Sequence, residues 1–107
     1  MKDLFDYYEG EQERCGLIID GAIFETPNVH PDPKEGFEID AADVVRYIDQ
    51  IEGIWHTHPG ASSVLSGADK AYMEMWPDVS HFIVGLEGIT EYKVENGVVL
   101  DANHIPR

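Results

Sequence analysis

The sequence predicts one domain over residues 1–107, of the α/β or α+β layer class, and three observations support this prediction. The chain has 107 residues, of which 43% are hydrophobic, enough for a single modest core. Segments with helical hydrophobic spacing alternate along it with short runs of strand-forming residues. Asp20-Gly21 and Asn96-Gly97 each separate two such runs, as hairpin turns do.

The first predicted elements are a short amphipathic helix and a β-hairpin. Four apolar side chains recur at roughly helical spacing near the start of the chain: Leu4, Phe5, Tyr7 and Tyr8. Two apolar runs, residues 16–19 and 22–24, then flank Asp20-Gly21, a dipeptide that suits a type I′ turn. These runs are therefore expected to pair as antiparallel strands.

A loop, a short strand and a second helix are expected next. Three prolines predict a loop over residues 27–36, and residues 37–39 can form a short strand. Asp40 is suited to cap a helix over residues 41 to about 51. The apolar side chains of this helix form one stripe, which is expected to pack in the core. Its members are Val44, Val45, Ile48 and Ile51.

The second half of the chain predicts a strand, a helix and three further strands. Their expected ranges are 53–58, 67–76, 81–86, 89–95 and 98–100. Asn96-Gly97 marks the turn of the last hairpin, and residues 101–107 are expected to fray. His81 is expected to be structural, and His104 has no neighbouring pattern that would place it in a site.

His56-Thr57-His58-Pro59, at the end of the strand 53–58, has the pattern of a metal site. Side chains two residues apart on a strand share a face, so His56 and His58 can bind one ion. Asp69 can supply a third ligand, because the short segment 59–65 is opened by proline and can fold the chain back. Two histidines and one carboxylate leave a fourth position for water, which is typical of catalytic zinc.

Ser66 precedes the helix expected at residues 67–76 and is suited to be its N-cap. With Asp69 three residues later, the pattern is close to a capping box. Capping and functional roles are compatible for Ser66. They compete for Asp69, since a carboxylate bound to zinc has less capacity left for a helix N-terminus.

Together with Glu13 upstream, these residues resemble the motif of the JAMM (MPN-plus) metallopeptidases. The resemblance extends from about residue 11 to about residue 86. Its downstream part is His-x-His-Pro followed by Ser66 and Asp69. Its upstream part is residues 13–17, Glu-Arg-Cys-Gly-Leu, which match the Glu-x-Cys-Gly-Leu context of bacterial and phage members. The joint occurrence of the two parts is far more specific than either alone.

The resemblance implies a fold, a cofactor and a role for each motif residue. The implied fold is a mixed, curved β-sheet flanked by helices, of the cytidine-deaminase-like type. The implied cofactor is Zn²⁺, held by His56, His58 and Asp69. Ser66 would help to stabilise the oxyanion, and Glu13 would act as the general base.

The resemblance also implies an activity and a class of substrate. Members of the family hydrolyse peptide or isopeptide bonds with water activated by zinc, often next to the C-termini of ubiquitin-like proteins. The Glu-x-Cys-Gly-Leu start and residues 37–40 are similar to the JAMM domains of phage tail assembly proteins. A phage tail protein, a ubiquitin-like modifier and a small sulfur carrier therefore all remain open as substrates.

Three other functions remain open at this stage. A catalytically idle domain of the same fold could serve as an assembly module of a phage tail or similar complex. A cupin-type iron oxygenase would carry a glutamate a few residues after His-x-His, where this chain has Ser62 and Ser63. A cysteine hydrolase would use Cys15, although its Gly-Leu-Ile-Ile context is typical of a buried strand.

Composition restricts the partners and the compartment. Acidic residues outnumber basic ones by 21 to 7, which gives a formal charge of −14 and argues against nucleic acid as a partner. A peptide or protein partner is compatible with this charge. No apolar run suggests a signal peptide or a membrane span. The single cysteine agrees with a reducing compartment, so we expect a cytoplasmic protein of a bacterial or phage-infected host cell.

Overall fold

Six strands and three short helices make up the fold, which the computed structural model describes for residues 1–107. The strands are β1 (Cys15–Ile19), β2 (Ala22–Thr26), β3 (Ile51–Thr57), β4 (Ser80–Val84), β5 (Gly88–Glu95) and β6 (Val98–Pro106). The helices are an N-terminal 3₁₀-helix (Lys2–Tyr7), α1 (Ala41–Arg46) and α2 (Gly67–Met75). None of the helices is long and apolar enough to cross a membrane.

The strands form one mixed sheet in the order β2-β1-β3-β4-β5-β6. All neighbouring strands are antiparallel except β3 and β4, which are parallel. A parallel pair requires a crossover connection, and α2 lies in the one between β3 and β4. The mixed α/β or α+β class predicted from the alternation of elements is therefore confirmed.

Side chains alternate between the two faces of the sheet, and each face carries its own apolar cluster. On one face, Leu17 and Ile54 pack against side chains of α1 and α2. On the other face, Trp55 packs with Leu4 of the 3₁₀-helix. His56 lies two residues after Ile54, so it belongs to the face that the α-helices cover.

Gly16 allows β1 to lie close to the Trp55 side chain of β3. A Cβ atom at this position would approach two ring carbons of Trp55 to 2.8 Å and would collide with the carbonyl oxygen of Phe24. Any larger residue would therefore disturb the pairing of β1 with its neighbours. Gly16 thus helps to keep β1 and β3 in the register that aligns the candidate site.

The helix expected over residues 41–51 is shorter in the structure. α1 covers only the first six of these residues, and Ile51 already begins β3. Val44 is half-buried, but Val45 is 69% exposed and Ile48 is 49% exposed. The prediction that the stripe packs in the core is wrong for these two residues: Val45 lies on the exposed side of α1, and Ile48 lies beyond the end of the helix.

Three other predicted elements also differ from the structure. The first helix is a 3₁₀-helix of six residues. The strand expected at residues 37–39 is reduced to a single bridge between Asn28 and Ile39. Residues 101–107 were expected to fray, but β6 continues to Pro106 because β5 pairs with it along its whole length.

Candidate metal centre

The pairing of β1 with β3 brings Glu13 next to the histidine pair. Just before the start of β1, the Arg14 amide donates to the Thr57 hydroxyl and the Thr57 amide donates to the Arg14 carbonyl, both at 2.9 Å. One residue further along this register, Glu13 lies opposite His58. A carboxylate oxygen of Glu13 and a ring nitrogen of each histidine lie within 4.8 Å of one another.

The nitrogens of the two histidines and the oxygens of Asp69 converge at one place. The Nε2 atoms of His56 and His58 are 3.2 Å apart. Oδ1 of Asp69 lies 3.1 Å from Nε2 of His56, and Oδ2 lies 3.0 Å from Nε2 of His58. Ligand atoms of a tetrahedral zinc ion, each about 2.0 to 2.1 Å from the metal, are separated by about 3.3 Å. The donor set therefore fits a zinc ion in both chemistry and spacing.

Contacts around the two histidines orient their rings toward this point. The Nδ1 atom of His58 lies 2.9 Å from the Ser62 carbonyl oxygen. A carbonyl only accepts hydrogen bonds, so Nδ1 carries the proton and Nε2 presents its lone pair in the neutral ring. The His56 ring is stacked on Phe37, with centroids 4.2 Å apart. In that neutral form, lone pairs on Nε2 of His58 and on Asp69 face each other, so either a proton or a metal cation between the two atoms stabilises the contact.

The surroundings of Asp69 and His56 favour the protonation states that metal binding requires, an ionised carboxylate and a neutral imidazole. Burial alone would raise the pKa of Asp69, but hydrogen bonds with His56, His58 and the Ser66 amide hold it well below its usual range. Burial lowers the pKa of His56, which favours the neutral imidazole that a metal requires. For His58, burial opposes protonation, but hydrogen bonds with Asp69 and the Ser62 carbonyl raise the pKa overall. Protons should therefore compete with a metal mainly at His58.

Ser66 and Asp69 form the capping box of α2 as well as part of the site. The Asp69 amide donates to Ser66 Oγ at 3.1 Å, and the Ser66 amide donates to Asp69 Oδ2 at 3.0 Å. The expected competition between capping and metal binding is avoided in this geometry, since Oδ1 still faces His56 and each carboxylate oxygen has two lone pairs.

A pocket of about 230 Å³ opens beside the converging ligands. Four of the five predicted site residues line it: Glu13, His58, Ser66 and Asp69. His56 lies beneath the pocket, with only 3% of its surface exposed. The structure therefore brings all five predicted residues together at one site.

Glu13 is held rigidly at the edge of this pocket. Its amide donates to the Pro33 carbonyl and its carbonyl accepts from the Asn28 side chain, both at 2.8 Å. Its side chain is buried, and burial raises the pKa of Glu13 to about 7. A carboxyl group with such a pKa can both accept and release a proton near neutral pH.

Hydrogen bonds from β5 anchor the connection between β3 and α2. The hydroxyl of buried Ser63 lies 2.9 Å from Glu87 and 2.6 Å from the Thr90 hydroxyl. The Tyr92 hydroxyl donates to the Ser63 carbonyl at 2.8 Å and accepts a hydrogen bond from the Leu65 amide. These bonds restrain the neighbouring Ser62 carbonyl, which orients His58.

The remaining histidines and the cysteine have other surroundings. His81 is buried and bonds to the Trp76 carbonyl at 2.9 Å, and His104 bonds to Thr90 at 3.0 Å, so both lie outside the site. His30 is half-buried and lines the pocket. Cys15 is fully buried, and burial raises the pKa of its thiol to about 11, which argues against a cysteine nucleophile.

Comparison with known proteins establishes the fold alone. No family model matches the chain, and no curated protein matches it. The structure is similar to the solution structure of protein DSY2949 from Desulfitobacterium hafniense, with a TM-score of 0.69 and 20% sequence identity. The similarity covers 90% of this chain and 79% of that chain. The chemistry of the site must therefore be inferred from its own side chains.

Proposed function

We propose that the protein is a zinc-dependent metallopeptidase or isopeptidase of the JAMM type. One observation carries this proposal: the donor atoms of His56, His58 and Asp69 meet at 3.0 to 3.2 Å, and buried Glu13 stands beside them. Three protein ligands leave a position open, as catalytic zinc sites do. When bound, zinc would polarise the scissile carbonyl and lower the pKa of a coordinated water from about 16 to about 7.

Glu13 and Ser66 would carry the proton transfer and the charge stabilisation. The Glu13 carboxylate takes a proton from the attacking water and delivers it to the leaving amine. The Ser66 hydroxyl already accepts from the Asp69 amide, so its own proton is free to donate to the carbonyl oxygen as negative charge develops there. Loss of one such donor typically costs about 100-fold to 1000-fold in rate.

The substrate class that suits this chemistry is a peptide or protein. A phage tail protein and a ubiquitin-like protein are the candidates that the sequence resemblance supplies. The compartment proposed for this activity is the cytoplasm of a bacterial or phage-infected host cell, and the single buried cysteine is compatible with it.

Metal analysis followed by a substrate screen tests the proposal. Purified protein should bind one zinc ion per chain and hydrolyse members of a panel of tagged peptides and ubiquitin-like fusions. Glu13→Gln should retain zinc and lose turnover. Failure to bind zinc would remove the basis of the proposal. Zinc binding without turnover across the panel would instead favour the idle assembly module.

A further inference from the structure

An exposed groove lies between α1 and α2, and its walls are entirely apolar. It has a volume of about 340 Å³, and its principal lining residues are Ile39, Val44, Val45, Ile48, Tyr72 and Trp76. Here we call it the apolar groove. Water meets large parts of this surface, since Val45 is 69% exposed and Ile48 is 49% exposed. A concave surface of this kind is more typical of a binding site than of an ordinary protein surface.

The apolar groove adjoins the pocket at the candidate metal centre. Tyr72 lines both of them. Its ring contacts Phe37 edge-on, with centroids 5.0 Å apart, and Phe37 is stacked on His56 at 4.2 Å. Tyr72 therefore forms a shared wall of the pocket and the apolar groove, and the two surfaces are close enough to contact neighbouring residues of one bound chain.

The pocket is too small to hold a polypeptide by itself. Its volume is about 230 Å³, below the range of roughly 300 to 1,000 Å³ that is typical of sites for whole small ligands. A polypeptide with its scissile bond in the pocket must extend beyond it. The apolar groove is the adjoining surface on which neighbouring apolar side chains can be buried.

Charge argues against a second copy of this chain as the occupant. Each copy has a formal charge of −14. Asp40 and Asp43, at the start of α1, form no salt bridge that would reduce this charge near the apolar groove. Two such surfaces repel each other, whereas a neutral or basic apolar peptide meets no such barrier.

We propose that the apolar groove binds bulky apolar side chains of the polypeptide substrate, next to the residue whose bond lies in the pocket. The proposal rests on the proposed function and adds a substrate class to it: a segment with large aliphatic or aromatic residues and few acidic ones. Val45 and Ile48 determine this specificity and take no part in the chemistry.

A peptide-selection experiment tests the groove separately from catalysis. Zinc-loaded Glu13→Gln protein is immobilised and exposed to a randomised library of amidated decapeptides, and the retained peptides are sequenced by mass spectrometry. Retained peptides should be enriched in large apolar residues and depleted in Asp and Glu. When Val45→Ser is introduced into the Glu13→Gln protein, its affinity for the best retained peptide should fall about tenfold.

Val98→Ser is the matched control. Val98 is also an exposed valine, 55% accessible, but it lies at the start of β6 and not in the apolar groove. Its substitution should leave peptide binding unchanged. In the parent enzyme, Val45→Ser should raise KM for an apolar substrate about tenfold, with kcat and the zinc content unchanged.

The outcomes separate this proposal from the proposed function. The protein could select apolar peptides in a way that depends on Val45 while the parent enzyme hydrolyses none of them. This result would support the groove proposal and overturn the hydrolase proposal. If the parent enzyme hydrolyses peptides but Val45→Ser and Val98→Ser have the same peptide affinity and the same KM, the groove proposal is overturned and the hydrolase proposal stands. The groove proposal would also be overturned if the retained peptides were not enriched in apolar residues. It would be overturned as well if the protein formed a dimer that Val45→Ser dissociates.

Discussion

At the scale of single residues, two buried carboxylates have opposite pKa shifts. Burial raises the pKa of Glu13 to about 7, whereas hydrogen bonds with both histidines keep the pKa of Asp69 low despite burial. An acid that stays ionised is suited to be a ligand, and one that titrates near neutrality is suited to exchange protons. The two environments therefore agree with the separate roles proposed for these residues.

The raised pKa of Glu13 predicts a pH-dependent loss of stability in the metal-free protein. The ordinary value of 4.5 applies to the unfolded chain, and about 7 applies to the folded protein. The folded state binds the proton more tightly, so stability falls as the pH rises from about 4.5 through 7. In the presence of a chelator, Glu13→Gln should therefore be more stable than the parent by about 2 to 3 kcal/mol at pH 8 and by less than about 1 kcal/mol at pH 5.

Denaturant unfolding at the two pH values measures this difference. Glu74→Gln is the control, because Glu74 is an exposed glutamate of α2 that does not line the pocket. It should change stability little at either pH. An equal effect of Glu13→Gln at pH 5 and pH 8 would contradict the assigned pKa.

Asp69→Ala and Ser66→Ala should separate metal binding from helix capping. Both substitutions remove part of the capping box and should each cost about 1 kcal/mol in unfolding free energy. Only Asp69→Ala also removes a ligand, so it should abolish stoichiometric zinc binding, whereas Ser66→Ala should retain it. Isothermal titration with zinc measures this, and equal affinities in the two variants would exclude Asp69 as a ligand.

The spacing of the sequence predicts the three ligand candidates, His56, His58 and Asp69, because it reflects local geometry, whereas the catalytic roles of Glu13 and Ser66 follow from the family resemblance alone. Alternation along β3 places His56 and His58 on one side, and capping places Asp69 in the first turn of α2. Phe37 and Tyr72 could not be predicted in the same way. Their contacts with the site depend on how the loop before α1 folds over the sheet, and no short pattern specifies that path.

At the scale of elements, the connection between β3 and α2 determines how His58 is oriented. Its Ser62 carbonyl receives the Nδ1 proton of His58, and the Tyr92 hydroxyl of β5 fixes the adjacent peptide group. Groups that orient metal ligands typically contribute a factor of about 10 to 100 in metal affinity. We therefore expect metal binding at the candidate site to depend on a strand that supplies none of the proposed ligands.

Tyr92→Phe tests this dependence. Loss of its hydroxyl should weaken zinc binding by up to about tenfold, because the connection loses one of the anchors that hold the Ser62 carbonyl against His58, while the bonds of Ser63 with Glu87 remain. Tyr47→Phe is the matched control, since Tyr47 lies at the end of α1 and not in or against this connection. Competition with a chromogenic zinc chelator measures both affinities. Equal affinities would show that the connection holds its shape without β5.

Elements with a strong local signal were predicted well, and the others were not. The first hairpin and α2 have a turn dipeptide or an N-cap at the expected place. β6 was underestimated because it is an edge strand whose side chains are mostly exposed, so residues 101–106 show no apolar alternation. α1 was overestimated because its apolar stripe continues past Arg46, although the backbone does not remain helical.

At the scale of the whole molecule, the acidic charge and the metal site should be coupled through stability. A net charge of −14 opposes compaction, and a divalent cation bound only by the folded state favours it. Zinc at about a thousandfold excess over its Kd should stabilise the protein by about 4 kcal/mol and raise the Tm accordingly. Differential scanning fluorimetry with zinc, and with magnesium at equal ionic strength as control, measures this. Equal shifts with the two cations would indicate general charge screening.

The crossover that joins the two parallel strands has a kinetic consequence. All three proposed ligands fall within residues 56–69, whereas Glu13 lies just before β1, far away in the sequence. Closing a loop this short costs little entropy, so the ion can bind before the remaining strands have assembled. We therefore expect zinc to accelerate refolding in stopped-flow measurements, in addition to slowing unfolding. The ion would then act as a nucleus around which the acidic chain collapses.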